Sequence, residues 1–177
     1  RCFRERVIMS MFITVSRAGE ELLPLARQFS EEWSIPLIRS RPLPQEGLGL
    51  ILQREGPALY APPAPPKQWH PGFAKNRWVS REHDTLIRAL GGPNLWGLTV
   101  LDGTFGMGHD ALLMARCGAH VIAYEHNPLM AYYALRGVAS YDLDAATRLS
   151  VRLGDHATHP LEERVDVVYL DPMYPEL

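Results

Sequence analysis

The chain has 177 residues, of which 46% are hydrophobic and 21% charged, a composition that excludes a wholly disordered or collagen-like polymer and fits one domain plus a small appendage. Cys2 and Cys117 cannot build a disulfide framework, no cysteine pair has metal-ligand spacing, and no apolar run approaches the roughly 20 residues of a membrane span. The net charge of −2 conceals an asymmetry: residues 1–81 hold 12 Lys+Arg against 7 Asp+Glu, and residues 82–177 hold 6 against 13. A basic front half suits an anionic partner such as nucleic acid, an acidic back half suits the surroundings of a cofactor, and a reducing, cytoplasmic setting is expected.

The sequence opens on Arg1, and residues 1–10 read as an upstream or disordered segment; Val7–Val15 is apolar, but too short for a secretory signal and not followed by a small-residue cleavage site. Met11–Val15 reads as a strand. Glu20–Trp33 reads as an amphipathic helix, with Leu22, Leu25, Ala26, Phe29 and Trp33 at helical spacing and Pro24 in the first turn, where its missing N–H costs little. Ile35–Ile38 is a short strand candidate. Leu48–Leu52 and Ala58–Tyr60 form an expected hairpin around Glu55-Gly56-Pro57. Residues 11–60 thus make a small α/β domain. Ala61-Pro-Pro-Ala-Pro-Pro66 is stiff and extended, and opens a proline-rich, then aromatic and basic linker over 61–81. A helix is expected from Ser80 to Leu90, stopped by Gly91-Gly92-Pro93.

From Thr99 the pattern becomes regular β/α alternation. Thr99–Asp102, His120–Glu125, Ser150–Leu153 and Val165–Leu170 read as strands, with helices over His109–Cys117 and Pro128–Ser140. This alternation implies a parallel sheet covered by helices on both faces, over residues 82–177.

The chemistry gathers where these strands end. The first runs into Asp102-Gly-Thr-Phe-Gly-Met-Gly108, a turn whose glycines allow a sharp bend and close approach to a ligand. The dinucleotide fingerprint G-x-G-x-x-G is not matched, and Asp102 would repel a pyrophosphate while suiting a cationic ligand. Glu125, at the end of the second strand, lies near the ~20-residue spacing at which an acid reaches ribose hydroxyls. The third strand ends in Gly154-Asp155-His156, suited to an adenine amino group, and the fourth in Asp171-Pro172-Met173-Tyr174-Pro175. Upstream, Lys67–Arg81 interleaves Trp69, Phe73 and Trp78 with Lys67, Lys75, Arg77 and Arg81, a mixture that suits either base stacking with phosphate contact or the packing of a linker. The seven histidines show no two-ligand helical spacing, so no metal is expected.

On these residues the chain resembles the class I S-adenosylmethionine (SAM) dependent methyltransferases. Asp102–Gly108 resembles their cofactor loop, Glu125 their ribose-binding acid, and Asp171-Pro-Met-Tyr174 the Asp-Pro-Pro-Tyr motif of enzymes that methylate exocyclic amines of bases. More narrowly, Gly103–Asp110, Tyr124–Pro128 and Tyr169–Pro175 resemble the bacterial RsmJ family of small-subunit ribosomal RNA guanine-N2 methyltransferases and its uncharacterised relatives. Phe105, Met107 and Met173 depart from the general pattern.

The resemblance implies a Rossmann-like SAM-methyltransferase parallel sheet, truncated after its fourth strand, with a small N-terminal α/β domain. It implies SAM as cofactor, held by Asp102, Gly103, Thr104, Gly106, Gly108, His109, Asp110, Glu125, His126, Asp155 and His156. It implies catalysis by Asp171, Pro172 and Tyr174 and ribosomal RNA as partner; on the aromatic and basic pattern Lys75, Arg77 and Trp78 are expected to meet that RNA, and neither membrane nor metal is expected. A fourth strand at a sheet edge would offer a surface for self-association. The alternatives are a non-catalytic SAM-binding module or fragment and, against the failed fingerprint, a nucleotide-dependent oxidoreductase.

Overall fold

The computed structural model describes residues 10–159 and 163–172, and divides into two compact units, one running to Trp69 and the other starting at His70. The first unit opens with β1 (Met11–Val15), as the β-branched run predicts. A 3-10 helix over Arg17–Leu22 leads into α1 (Leu23–Trp33), so the helix expected from Glu20 starts three residues later, after a kink at Gly19. Pro24 sits in the first turn of α1, and the helix ends at Ser34 in the left-handed conformation. Its apolar stripe buries Ala26 and Phe29, and Trp33 stacks on Phe29 with ring centroids 4.3 Å apart. The segment expected as a strand over Ile35–Ile38 contributes only a bridge from Leu37 to Ile13.

β2 (Leu48–Leu52) is buried along its whole length because it lies inside the sheet, parallel to β1 and antiparallel to β3 (Ala58–Tyr60). This is the expected hairpin, turning at Gly56 with φ +108°. β4 (Lys67–Gln68) then pairs with β3, so the chain beyond the proline run adds an edge strand to the order β1-β2-β3-β4.

The second unit begins with α2 (Gly72–Val79), in a stretch expected as linker. The helix expected over Ser80–Leu90 is correspondingly shorter: α3 (Thr85–Ala89) starts only after Asp84, whose carboxylate accepts the N–H groups of Leu86 and Ile87 and so caps it. β5 (Thr99–Asp102), α4 (His109–Arg116), β6 (His120–Glu125), α5 (Pro128–Tyr141), the short α6 (Leu143–Ala146), β7 (Leu149–Leu153) and β8 (Val167–Tyr169) follow. All pairings are parallel, in the order β7-β6-β5-β8. The core is built on the two central strands and their helices: Val100, Val121 and Ile122 on the strands and Leu112, Met114, Leu129 and Tyr133 on the helices are all almost fully buried, and Ile122 clusters with Leu101 and Tyr124. Asn127 caps α5 through the N–H groups of Leu129 and Met130, with Pro128 at the first helical position.

The fourth strand of this sheet is at its edge, as the strand count predicts: among the described residues β8 pairs only with β5, and Val168 and Leu170 are about half exposed. Strand order and direction bring the carboxyl ends of all four strands to one end of the sheet, where open α/β folds bind ligands. Tyr174, expected to be catalytic, lies outside the described residues, as do Met173 and Pro175.

Candidate functional site

β5 delivers Asp102 to the start of the glycine turn, where it is only 1% exposed. Its Oδ1 accepts the Thr104 backbone N–H at 2.9 Å and the Thr104 hydroxyl at 3.3 Å, a local turn that the Asp-Gly-Thr order encodes. Its Oδ2 is buried and has no hydrogen-bond partner. Burial pushes the carboxyl pKa up to about 6 against the opposing hydrogen bond from Thr104, with the neighbouring charges of Asp110 and Asp171 adding to the rise.

Two glycines make the turn possible. At Gly103 a Cβ would come within 2.7 Å of the His156 ring and 2.5 Å of the Leu170 side chain. Gly108, the N-cap of α4, has φ +72°, and a Cβ there would meet the Phe105 ring at 2.8 Å. Phe105, bulkier than the turns it resembles, is 3% exposed and thereby packs the underside of the loop.

β6 delivers Glu125, 8% exposed. Its Oε2 accepts the Gly106 N–H at 3.1 Å and its Oε1 accepts the Asn127 N–H at 2.9 Å, so the carboxylate clasps the glycine turn to the start of α5. Each oxygen retains acceptor capacity towards a ligand. His126 Nδ1 stands 3.3 Å from Oε1 on an otherwise exposed ring. β7 delivers Gly154 and Asp155, and Asp155 Oδ1 accepts the Ala157 N–H at 2.9 Å. β8 delivers Asp171: the Gly103 N–H donates to the Tyr169 carbonyl at 3.0 Å, and the Asp171 N–H donates to the Thr104 hydroxyl at 2.8 Å.

These strand ends border one cleft of about 410 Å³. The glycine turn contributes Gly103, Thr104 and Gly106; β6 contributes Tyr124, Glu125 and His126; the third strand end contributes Gly154, Asp155 and His156; the fourth contributes Asp171 and Pro172. Acidic groups therefore stand at three corners, with the buried Asp102 joined to the wall through Thr104, an arrangement suited to a ligand carrying positive charge and hydroxyl donors. Tyr124 and Gly154, which belong to the strand-end motifs but not to the expected site residues, also line the cleft; Tyr124 is 3% exposed, and Gly154 directly follows β7 with φ +133°.

Several expected site residues are used differently. Asp102, Gly108, His109 and Asp110 are not among the residues that line the cleft. His109 Nε2 lies 3.3 Å from the His70 carbonyl oxygen, and burial holds its imidazole below the usual histidine range. Asp110 receives Arg77 on Oδ1 and the Tyr169 hydroxyl, at 2.9 Å, on Oδ2. Arg77, expected on RNA, also donates to both oxygens of Asp84, at 2.7 and 3.1 Å. Trp78 lies against two guanidinium groups, Arg81 at 4.3 Å and Arg116 at 4.1 Å. Both residues expected on RNA thus have partners within the chain and are partly buried, whereas Lys75 on α2 is exposed. Among the described residues no group of His, Cys, Asp and Glu is arranged to hold a metal ion, and no helix is long and apolar enough to cross a membrane.

A family model described as "Putative SAM-dependent methyltransferase" matches residues 69–177. The ribosomal RNA small subunit methyltransferase J of Hahella chejuensis is 44% identical over 84 residues, 45% of this chain and 32% of that protein. The protein of the same name from Thioalkalivibrio sulfidiphilus is 35% identical over an alignment of 183 residues, 92% of this chain and 69% of that protein. The chain thus spans a third of the length of one of these relatives and about two thirds of the other. A crystal structure of a SAM-dependent methyltransferase from Neisseria gonorrhoeae shares the fold, with a TM-score of 0.68 at 22% identity over 92% of this chain and 69% of that one.

Proposed function

The chain belongs to the SAM-dependent methyltransferase family, and from that premise we propose that the whole protein methylates an exocyclic guanine amine, N2, of ribosomal RNA. The observation that carries the reading is the single cleft bordered at once by Glu125 and by Asp171–Pro172, so that a cofactor site and an acceptor site adjoin. The relatives named as ribosomal RNA small subunit methyltransferases support the RNA as substrate, and a cytoplasmic location goes with it.

The residues present fit SAM. A buried carboxylate oxygen of Asp102 with no partner suits a cationic ligand better than the pyrophosphate of a nicotinamide cofactor. Glu125 would take ribose hydroxyls on the lone pairs it does not spend on Gly106 and Asn127. Asp155 would accept an adenine amino group, with Gly103, Thr104, Gly106, His126 and His156 shaping the walls. When bound, SAM supplies an electrophilic methyl group on a sulfonium.

The protein's part is mainly positioning, because an in-line displacement needs alignment of the reacting atoms more than it needs acid or base. The lone pair of an exocyclic guanine amine is drawn into the ring. Asp171 would accept an N–H of that amine, hold the nitrogen towards the cleft, and stabilise the positive charge that grows on it. Pro172 limits the freedom of the loop that carries Asp171. Tyr174 would stack on the base, and Lys75 would meet phosphate.

Isothermal calorimetry and a methyl-transfer assay on unmodified ribosomal RNA test this reading together. Binding of SAM with radiolabel transfer to guanine N2 is the expected result. Absence of SAM binding at millimolar ligand, alongside binding of a nicotinamide dinucleotide, would overturn it. SAM binding without transfer by the whole protein would leave a cofactor-binding module.

A further inference from the structure

We infer that Arg77, Asp110 and Tyr169 form a positioning relay that fixes the backbone of Asp171–Pro172 from outside the cleft. Its functional consequence rests on the reading of Asp171 given above, whereas the anchoring itself does not.

β8 has three residues and, among the described residues, pairs only with β5. Asp171 follows its last residue by two positions, and the polar contacts made by Tyr169 and Asp171 hold this segment.

Those contacts form a continuous chain. Arg77 on α2 has its guanidinium shared between Asp84, the cap of α3, and Asp110, in the first turn of α4. Its side chain is 17% exposed, and the two carboxylates together raise its pKa against the effect of burial. With Oδ1 committed to Arg77, Asp110 presents Oδ2 to the Tyr169 hydroxyl at 2.9 Å. Tyr169 is the last residue of β8, and its carbonyl accepts the Gly103 N–H. Two residues on, the Asp171 N–H is held by Thr104. Burial and the carboxylate of Asp110 raise the Tyr169 phenol above its ordinary range, so it remains a donor at neutral pH. The cleft side of the segment is thus held by Thr104 and the far side by Asp110, itself oriented by Arg77. In this relay Asp110 and Arg77 are positioning residues.

The test is Tyr169→Phe, which removes one oxygen and keeps the ring. Amide hydrogen exchange of the intact chain, followed at Asp171 and across Val121–Glu125, reads the anchor without any methyl transfer. The relay requires exchange at Asp171 to accelerate on the order of tenfold, the loss of one charge-assisted hydrogen bond, while the β6 amides keep their protection. In the whole protein, kcat for methyl transfer should fall on the order of tenfold with KM for SAM within about twofold. Arg77→Lys should give a smaller loss than Arg77→Ala, because an ammonium keeps the charge but not the fork. Unchanged exchange at Asp171 in Tyr169→Phe would overturn the relay even in an active enzyme. Faster exchange with unchanged kcat would overturn its positioning role. Faster exchange in a protein that, unaltered, transfers no methyl group would leave the relay standing and overturn the functional reading instead.

Discussion

The Thr104 hydroxyl accepts the Asp171 N–H at 2.8 Å and lies 3.3 Å from Asp102 Oδ1, to which it donates. One side chain of the glycine turn therefore ties the buried acid that ends β5 to the exposed acid after β8, across two neighbouring parallel strands. Thr104→Val keeps the shape and removes both bonds. The expected outcome is a fall in methyl-transfer rate of about tenfold, with SAM affinity within about threefold, because an Asp171 segment displaced by a fraction of an ångström loses alignment more than binding. Thr104→Ser should restore the rate. Calorimetry paired with single-turnover kinetics separates the two quantities.

Glu125→Ala should weaken SAM binding by about 1–3 kcal/mol, the usual cost of losing charge-assisted hydrogen bonds to ribose hydroxyls. The same change leaves the Gly106 and Asn127 N–H groups without their acceptor. Circular dichroism of the variant must therefore accompany the titration, and Glu125→Gln, which keeps one acceptor oxygen, should lose less. An unchanged dissociation constant in a folded variant would remove the ribose role.

Asp102 gives a pH dependence with a definite sign. Its folded pKa, about 6, lies above the ordinary 3.8, so between these values the folded state binds more protons than the unfolded one. Its contribution to stability is therefore lost as pH rises through that window, amounting to about 3 kcal/mol above pH 6. Cofactor affinity should run the other way: a cationic ligand prefers the carboxylate, so binding of SAM should weaken as pH falls below about 6. Asp102→Asn should raise the unfolding midpoint of the ligand-free chain at pH 7.5, flatten this part of the pH profile, and weaken SAM binding. Thermal unfolding and calorimetry at pH 5, 6 and 7.5 check all three.

The sheet of the second unit was legible because parallel strands buried on both faces carry the strongest local pattern: Thr99–Asp102 and His120–Glu125 lie where their apolar runs put them. The ends of those strands were legible as well, since Glu125, Asp155 and Asp171 are polar groups that interrupt apolar runs at equivalent points, and the cleft collects all of them. The stretch from Lys67 to Leu90 was not. Its aromatic and cationic residues look alike whether they face solvent or one another, and only the fold shows that Arg77 is matched by Asp84 and Asp110, the latter 33 residues away. The Asp84 cap was within reach of sequence reading, since an acid before Thr85-Leu-Ile is a recognisable helix start. The double use of Thr104 was not, because it depends on β8 lying beside β5, a pairing between segments 67 residues apart along the chain.

The most direct measurement is the single-turnover rate of methyl transfer to unmodified ribosomal RNA by Asp171→Ala, normalised to folded protein and set beside its affinity for SAM. If Asp171 aligns the target amine and stabilises its growing charge, the rate falls on the order of 10²-fold, as for other lost transition-state hydrogen bonds, while SAM affinity stays within about threefold. If Asp171 only stabilises the end of β8, the variant unfolds more readily but transfers methyl groups at close to the parent rate. A loss smaller than about threefold per folded molecule would contradict the assignment of this cleft to base methylation through Asp171.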